Sequence, residues 1–499
     1  MELQFKKETF RWMRPAVHQV QTQEQTQELK ISDGMPDIGR VLGAWGQPIL
    51  RSKEWRSDGF SVSGGMMVWV LYAPEDGTQV RSISGWIPWQ TTWNLPSGTP
   101  DGKIRVLCLP RFVDARSVSP RKIMVRAGLS VLGEGLVEDQ GENYSPPELP
   151  EDVELLQNTY PVRLKVEAGE KAFQLDEELV LPQSCPVPAK LVSCSIRPEV
   201  SESRVLSNRV LFRGAANVHV VYLSEEGQLF FWDIPVSLSQ YDDLESVCTA
   251  DAQADFWIMP TDLDVDLDEE GHIRLKCGMV AQYAVEDVRQ LPVVEDAYSP
   301  VRELTMEQME QTLLPVLETA SREVSMQQTI PQEANVVADV SFLPDFPRQR
   351  RNDGSVEMEI PGTVQVLYYS TEGVLQSAAS RWEGNLNCHL APEAQLYCIP
   401  VSGGMPEAQI TPEGIRLNGQ VSMMLRTLAE QSFSSVTAME PGQMVEPDPN
   451  RPSLILCRAG EDSLWQLARE NGSTVSAIRE ASGLEGEPRP GQMLLIPVL

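Results

Sequence analysis

The string Asp262-Leu263-Asp264-Val265-Asp266-Leu267-Asp268 places a carboxylate at every second residue, and carboxylate oxygens are the ligands calcium prefers. An EF-hand loop needs glycine at its sixth position; counted from Asp264, that position is Glu269. The intervening Leu263, Val265 and Leu267 instead describe a half-buried strand, with aspartates on its wet face and a turn at Glu270-Gly271. Zinc needs about four ligands at short, recurrent spacings. His18, His219, His272 and His389 lie far apart, and only His389 has a cysteine, Cys388, beside it. The 8 cysteines form no C-x-x-C pair; Cys185 with Cys194, and Cys388 with Cys398, are close in sequence, at a density that fits reduced thiols of a cytosol. Nucleophile-elbow, zincin and P-loop patterns are missing. The expectation is a protein without metal, cofactor or catalytic residues.

Tryptophan offers a different chemistry, since its ring can stack on sugars or anchor a partner. Trp12, Trp45, Trp55, Trp69, Trp86, Trp89 and Trp93 all fall early in the chain. Trp86 and Trp382 each follow a turn glycine by the same interval and read as a matched structural pair. Trp89 and Trp93 have no such counterpart and are the candidate interface residues, with core packing as the competing reading.

A third group of candidates lies in the tail, whose sequence breaks into strand, helix, helix, strand over residues 453–499. Leu454-Ile455-Leu456 form an apolar run ending at Gly460, and Asp462-Ser463 carry a helix-capping signal. Leu464, Trp465, Leu467 and Ala468 recur at helical spacing; Asn471-Gly472 end that helix, and a second runs from Ser473-Thr474 to Gly483. Pro490-Gly491 turn the chain into Met493-Leu494-Leu495-Ile496. In this order and at these distances the tail resembles a LysM module. That resemblance implies a βααβ fold and binding of N-acetylglucosamine-containing glycans such as peptidoglycan. It also implies two recognition loops, here Gly460, Glu461, Asp462, Ser463 and Leu464, and Gly483, Leu484 and Glu485 followed by Gly486. Ala481-Ser482 stand where LysM modules usually carry an asparagine. The acidic Glu461, Asp462 and Glu485 suit a basic partner as well as a sugar.

The remaining residues must position these candidates. A chain of 499 residues is too long for one ordinary core. A net charge of −30 argues against nucleic acid, whose binders neutralise phosphates with clustered Lys and Arg. No apolar run is long enough to span a bilayer as a helix. The first residues, MELQFKKETFRWMRPAV, lack the apolar core and cleavage site of a secretory signal, so an intracellular location is expected.

The first 440 residues repeat one module. VWVLY, VHVVY and VQVLY end at Tyr72, Tyr222 and Tyr368, and each is followed by a turn glycine, Gly77, Gly227 or Gly373. Pro48, Pro198 and Pro344 keep step, as do Gly128, Gly278 and Gly419. The period of roughly 150 residues means whole domains rather than a solenoid. Alternating β-branched runs separated by Glu-Asp-Gly and Glu-Glu-Gly turns predict a mainly β fold of three tandem sandwich- or barrel-like modules, 1–144, 151–295 and 300–440, before the tail. The joins at Gly141–Glu151 and Val293–Pro300 read as acidic, proline-bearing linkers. Val301–Leu317 has helical propensity but contains Pro315, and reads as strand or irregular.

Three such modules with a terminal LysM resemble the SPOCS-domain family of spore-forming Gram-positive bacteria. The resemblance implies a non-enzymatic spore coat assembly scaffold in the mother-cell cytoplasm, placed at the forespore surface. Its implied partners are a coat morphogenetic ATPase of the SpoIVA type, engaged through the LysM, and other coat proteins. The alternative is a peptidoglycan-binding cell-wall protein.

Overall fold

The computed structural model describes residues 3–499 other than 183–184, 353, 404, 446–450, 461 and 485. The chain is mainly β. After a short strand β1 (Leu3–Gln4), the first module runs β2 (Lys6–Lys30), β3 (Ile38–Arg56), β4 (Gly59–Pro74), β5 (Arg81–Asn94), β6 (Gly102–Ser119) and β7 (Lys122–Ser145). The second repeats this order as β8 (Glu154–Leu179), β9 (Pro188–Leu206), β10 (Arg209–Ser224), β11 (Leu229–Asp243), β12 (Gln253–Leu267) and β13 (Ile273–Tyr298). The third is more broken. Its first half comprises β14 (Arg302–Leu313), β15 (Val316–Ile330), β16 (Val336–Pro344), β17 (Arg348–Asn352) and β18 (Ser355–Tyr369). It continues with β19 (Leu375–His389), β20 (Gln395–Gly403), β21 (Glu407–Thr411), β22 (Gly414–Leu428) and β23 (Gln431–Met444).

Each module is built on a pair of antiparallel sheets, and the third carries a further one, β1-β23-β14, which takes in the first strand of the chain. The pairs are β2-β7-β6 with β3-β4-β5, and β8-β13-β12 with β11-β10-β9; in the third module β15-β22-β20 faces a sheet centred on β18. Alternation drives this arrangement, since every second residue of the central strands points into the sandwich. Val68, Val70 and Tyr72 of β4 are fully buried, as are Val218, Val220 and Tyr222 of β10. The turns that follow place Gly77, Gly227 and Gly373 at φ 73°, 80° and 75°, a conformation that a Cβ would strain. The aspartate run lies on β12 as a wet-faced strand, with Leu263 buried and Asp262, Asp264 and Asp266 exposed. The Val301–Leu317 stretch is strand interrupted at Leu314-Pro315, where proline cannot donate to the ladder.

Two expectations fail on register. The hairpin turn of the first module is one residue longer: Tyr72 pairs with Arg81, whereas Tyr368 pairs with Gln376. A one-residue slip sends side chains to the opposite face. Trp86 is therefore 38% exposed while Trp382 is 5% exposed, and the two are not equivalents. In the same way, Gly128 faces Phe112 and Gly278 faces Asp262 just past a bulge, but the residue facing Ser402 is Ser422, not Gly419. Extra residues between Pro400 and the turn before Gly414 displace the count.

The joins are not linkers. Gly141 to Ser145 continues β7, and Val293 to Tyr298 continues β13. Both are held by a core drawn from all three modules, in which Phe5 and Tyr144 pack with Val153, Val294, Val436 and Met439. A second shared core joins Leu42 and Leu71 to Val192 and Val221 and to Ala338 and Leu367. Leu71, Val221 and Leu367 each precede the repeated tyrosine, so corresponding residues of the modules meet around one common axis.

Candidate functional site

The tail folds as β24 (Leu454–Arg458), α1 (Leu464–Glu470), α2 (Val475–Ser482) and β25 (Met493–Pro497), with the two strands antiparallel. Local chemistry fixes each helix end. The Ser463 hydroxyl accepts from Gln466 N and the Gln466 side chain accepts from Ser463 N, closing a capping box. Thr474 accepts from Ala477 N, and Gly483 at φ 64° ends α2 in the left-handed conformation. Leu464, Ala468 and Ile478 then bury against Leu494 and Ile496 of the sheet.

These caps decide what the predicted loop residues can offer. Leu464 is a core residue at 2% exposure, and the Ser463 hydroxyl and N–H are occupied by the cap. Gly460, Asp462 and Gly483 are exposed and Leu484 is half-buried; a Cβ at Gly460, Gly483 or Gly486 would meet nothing within 4 Å. The loops therefore present backbone and the Asp462 carboxylate to solvent. Glu461 and Glu485 lie outside the described residues. Ser482, next to Gly483, is engaged internally: its hydroxyl accepts from Leu495 N at 2.9 Å and donates to Leu495 O at 3.2 Å.

The tail is seated on the β body rather than hung from it. Tyr298, the last residue of β13, inserts into the tail core, and its hydroxyl donates to Ser473 O at 2.9 Å. Burial pushes this phenol's pKa up, so it stays a donor at every physiological pH. Asp296 accepts from Trp465 Nε1 at 2.9 Å and pairs with Arg469 at 2.6 Å, and the Trp465 ring meets Tyr298 edge-on at 4.7 Å. Trp465 is thus a half-buried interface residue between tail and body. Of the predicted loop residues, Gly460, Asp462, Gly483 and Gly486 take no part in these contacts, whereas Leu464 packs in the same core as Tyr298.

Trp89 and Trp93, the other interface candidates, are 4% and 1% exposed. Both point into the first sandwich from β5, where Trp93 stacks on Phe60 at 4.9 Å and donates Nε1 to Gln19 O. They are core residues. Their lack of counterparts reflects how this sandwich is filled: Gly64 and Gly133 leave room for the two rings, so that a Cβ at Gly64 would sit 2.8 Å from Trp89 and one at Gly133 2.6 Å from Trp93.

Sequence reasoning missed the polar groups that join the modules. Arg105 and Glu134 of the first module pair at 2.8 Å, and Lys165 of the second reaches Glu134 at 2.7 Å. Arg105 also reaches Asp255 at 2.7 Å, and Asp255 takes Arg426 of the third module at 2.9 Å, itself 3.3 Å from Glu286. Three cations thus balance three carboxylates out of solvent. Burial alone would raise the Glu134 pKa, but Lys165 and Arg105 hold it well below the usual carboxylate range. His18 stacks on Tyr397 at 3.7 Å, and burial with the neighbouring cations lowers its pKa and keeps it neutral. A second junction joins Trp45, His219 and Asp339, one residue from each module. Asp339 accepts from Trp45 Nε1 at 3.0 Å and lies 2.9 Å from His219 Nε2, while Asp233 lies 3.0 Å from His219 Nδ1. Burial opposes the charge on this imidazole, yet the two aspartates raise its pKa to about 9. In sequence these groups look like ordinary surface charges, and only the meeting of three modules buries them.

Comparison with known proteins adds one match: the LysM domain family covers residues 460–497. No curated protein and no solved structure matches the chain. The LysM match supports a glycan-binding or protein-binding role for the tail.

Proposed function

We propose that the chain is a non-catalytic assembly scaffold whose LysM tail docks a protein partner. The observation that carries this reading is the seat of the tail on Asp296 and Tyr298. A docking element fixed to a large body loses little further freedom on binding, and it imposes the body's orientation on whatever it captures. Three modules fused around one axis add a broad acidic surface for further contacts, in a chain of net charge −30. Asp462 at the open loop favours a basic partner patch, and Ser482, at the position before Gly483, is tied to β25. In its most specific form the reading is a spore coat scaffold in the mother-cell cytoplasm that holds a coat morphogenetic ATPase at the forespore surface, as the module order resembles.

The test is pull-down of the purified coat ATPase by the full chain and by a loop variant, Asp462→Arg with Gly486→Arg, whose substitutions lie at exposed positions. The scaffold reading predicts capture by the first and a loss of at least tenfold in the second; equal capture by both contradicts it. The LysM match itself favours a second reading, peptidoglycan binding, which predicts that the full chain sediments with purified peptidoglycan and the loop variant does not.

A further inference from the structure

A cavity of about 170 Å³ opens where the three modules meet. Six prolines line it: Pro48, Pro198 and Pro344 from β3, β9 and β16, and Pro110, Pro260 and Pro400 from β6, β12 and β20. The last three each sit at a register break, between Pro110 and Phe112, Pro260 and Asp262, and Pro400 and Ser402. Proline has no N–H to donate and resists repacking, so paired strands cannot zip shut across this space. The same device is built three times, once in each module, and the space it leaves is a property of the fold.

The wall determines what can enter. Leu107, Leu109, Ile258, Met259, Phe342 and Leu343 supply apolar surface. Several of its polar side chains are already engaged. Trp45 Nε1 and both His219 nitrogens face Asp339 and Asp233, while Gln47 donates to Pro48 O and accepts from Ile196 N. The charge of Arg197 is met by Asp233, Glu199 and Asp339. A charged or strongly polar ligand would find these groups committed and would lose its own hydration on entry.

We propose that this axial cavity is a binding site for a small, single-ring apolar molecule. The size fits a single ring, because an apolar protein cavity of roughly 150 Å³ holds benzene or xenon, and the apolar side chains named above line a pocket of about 170 Å³ that opens to solvent on one side. Such a molecule would fill contacts that empty space forfeits and so tighten the junction of the three modules.

The experiment titrates the full chain, ¹³C-methyl-labelled at methionine, with benzene and separately with xenon. The expected result is a saturable shift of the Met259 methyl resonance, together with a melting transition that rises with benzene concentration. Two filling variants, Leu343→Phe and Leu109→Phe, are made separately so that misfolding of one leaves the other informative. Each folded variant is expected to lose the Met259 response by at least tenfold in apparent affinity. The proposal is overturned if benzene near its solubility limit leaves Met259 unshifted, or if both folded variants respond like the parent chain.

Discussion

Glu134→Gln removes the charge that two buried cations share while keeping the side chain's shape. Lys165 Nζ and Arg105 approach Glu134 at 2.7 and 2.8 Å, and all three residues are at most 4% exposed. Arg105 retains Asp255, but Glu134 is the one carboxylate in contact with Lys165 among the described residues. Breaking a buried pair so that one charge is stranded costs ~3–5 kcal/mol, whereas replacing both members by neutral groups costs far less. A chain of this size need not unfold in one step, so the appropriate readout is hydrogen exchange over β6–β7 and β8–β13. A cost of ~3 kcal/mol accelerates exchange there by more than about 100-fold. Lys165→Met should give a similar acceleration by stranding Glu134, and Glu134→Gln with Lys165→Met should be slower to exchange than the sum of the single changes demands. If Glu134→Gln accelerates exchange less than about fivefold and the double variant is additive, the pair is worth no more than a solvated surface bridge. The claim that these charges lock the modules together would then be wrong. The acid limb follows from the same groups. Glu134 and Asp255 both have depressed pKa values, so their contribution is fully present above the unfolded carboxylate range near pH ~4 and is lost as pH falls through the lower folded values.

The His219 junction responds to pH in the opposite direction. Its pKa is raised to about 9, so its stabilisation is complete below the unfolded value of about 6.5 and disappears as pH rises through 9. The integrated effect is ~3 kcal/mol, and chemical denaturation from pH 6 to 10 should show it in the parent but not in His219→Phe; a flat parent profile refutes the assignment. Trp89→Ala should cost ~3–5 kcal/mol in melts of the first module, while Trp86→Ala, on the outer face beside Arg51, should cost ~1 kcal/mol or less. The reverse order would mean that the register of β5 is misplaced. Tyr298→Ala should unseat the tail, seen as hydrogen exchange over α1 at least tenfold faster than in the parent; unchanged exchange would show that the Tyr298 contact does not hold it.

How far the fold could be read from sequence depended on whether the signal was local. The tail was legible because its caps, Ser463, Thr474 and Gly483, act on residues three or four positions away. The central strands were legible because Tyr72, Tyr222 and Tyr368 close alternating runs beside turn glycines. Register was not legible beyond the next insertion, and one extra residue in a hairpin reversed the reading of Trp86. Trp89 and Trp93 misled because a residue without a counterpart in the repeat resembles an interface anchor as much as a core filler. The common axis was hidden for a related reason. Leu71, Val221 and Leu367 look like ordinary strand residues, and Arg105, Lys165 and Arg426 look like solvated charges until three modules enclose them.

The proposed function requires that the open loops of the seated LysM tail hold a protein. Its most direct test places a photo-crosslinking residue at Asp462 or Gly486 of the full chain in sporulating cells and identifies the adducts by mass. The scaffold reading predicts a protein adduct, the coat morphogenetic ATPase, that is absent when the crosslinker stands at Asp264 on the wet face of β12. Adducts to peptidoglycan fragments alone would contradict it.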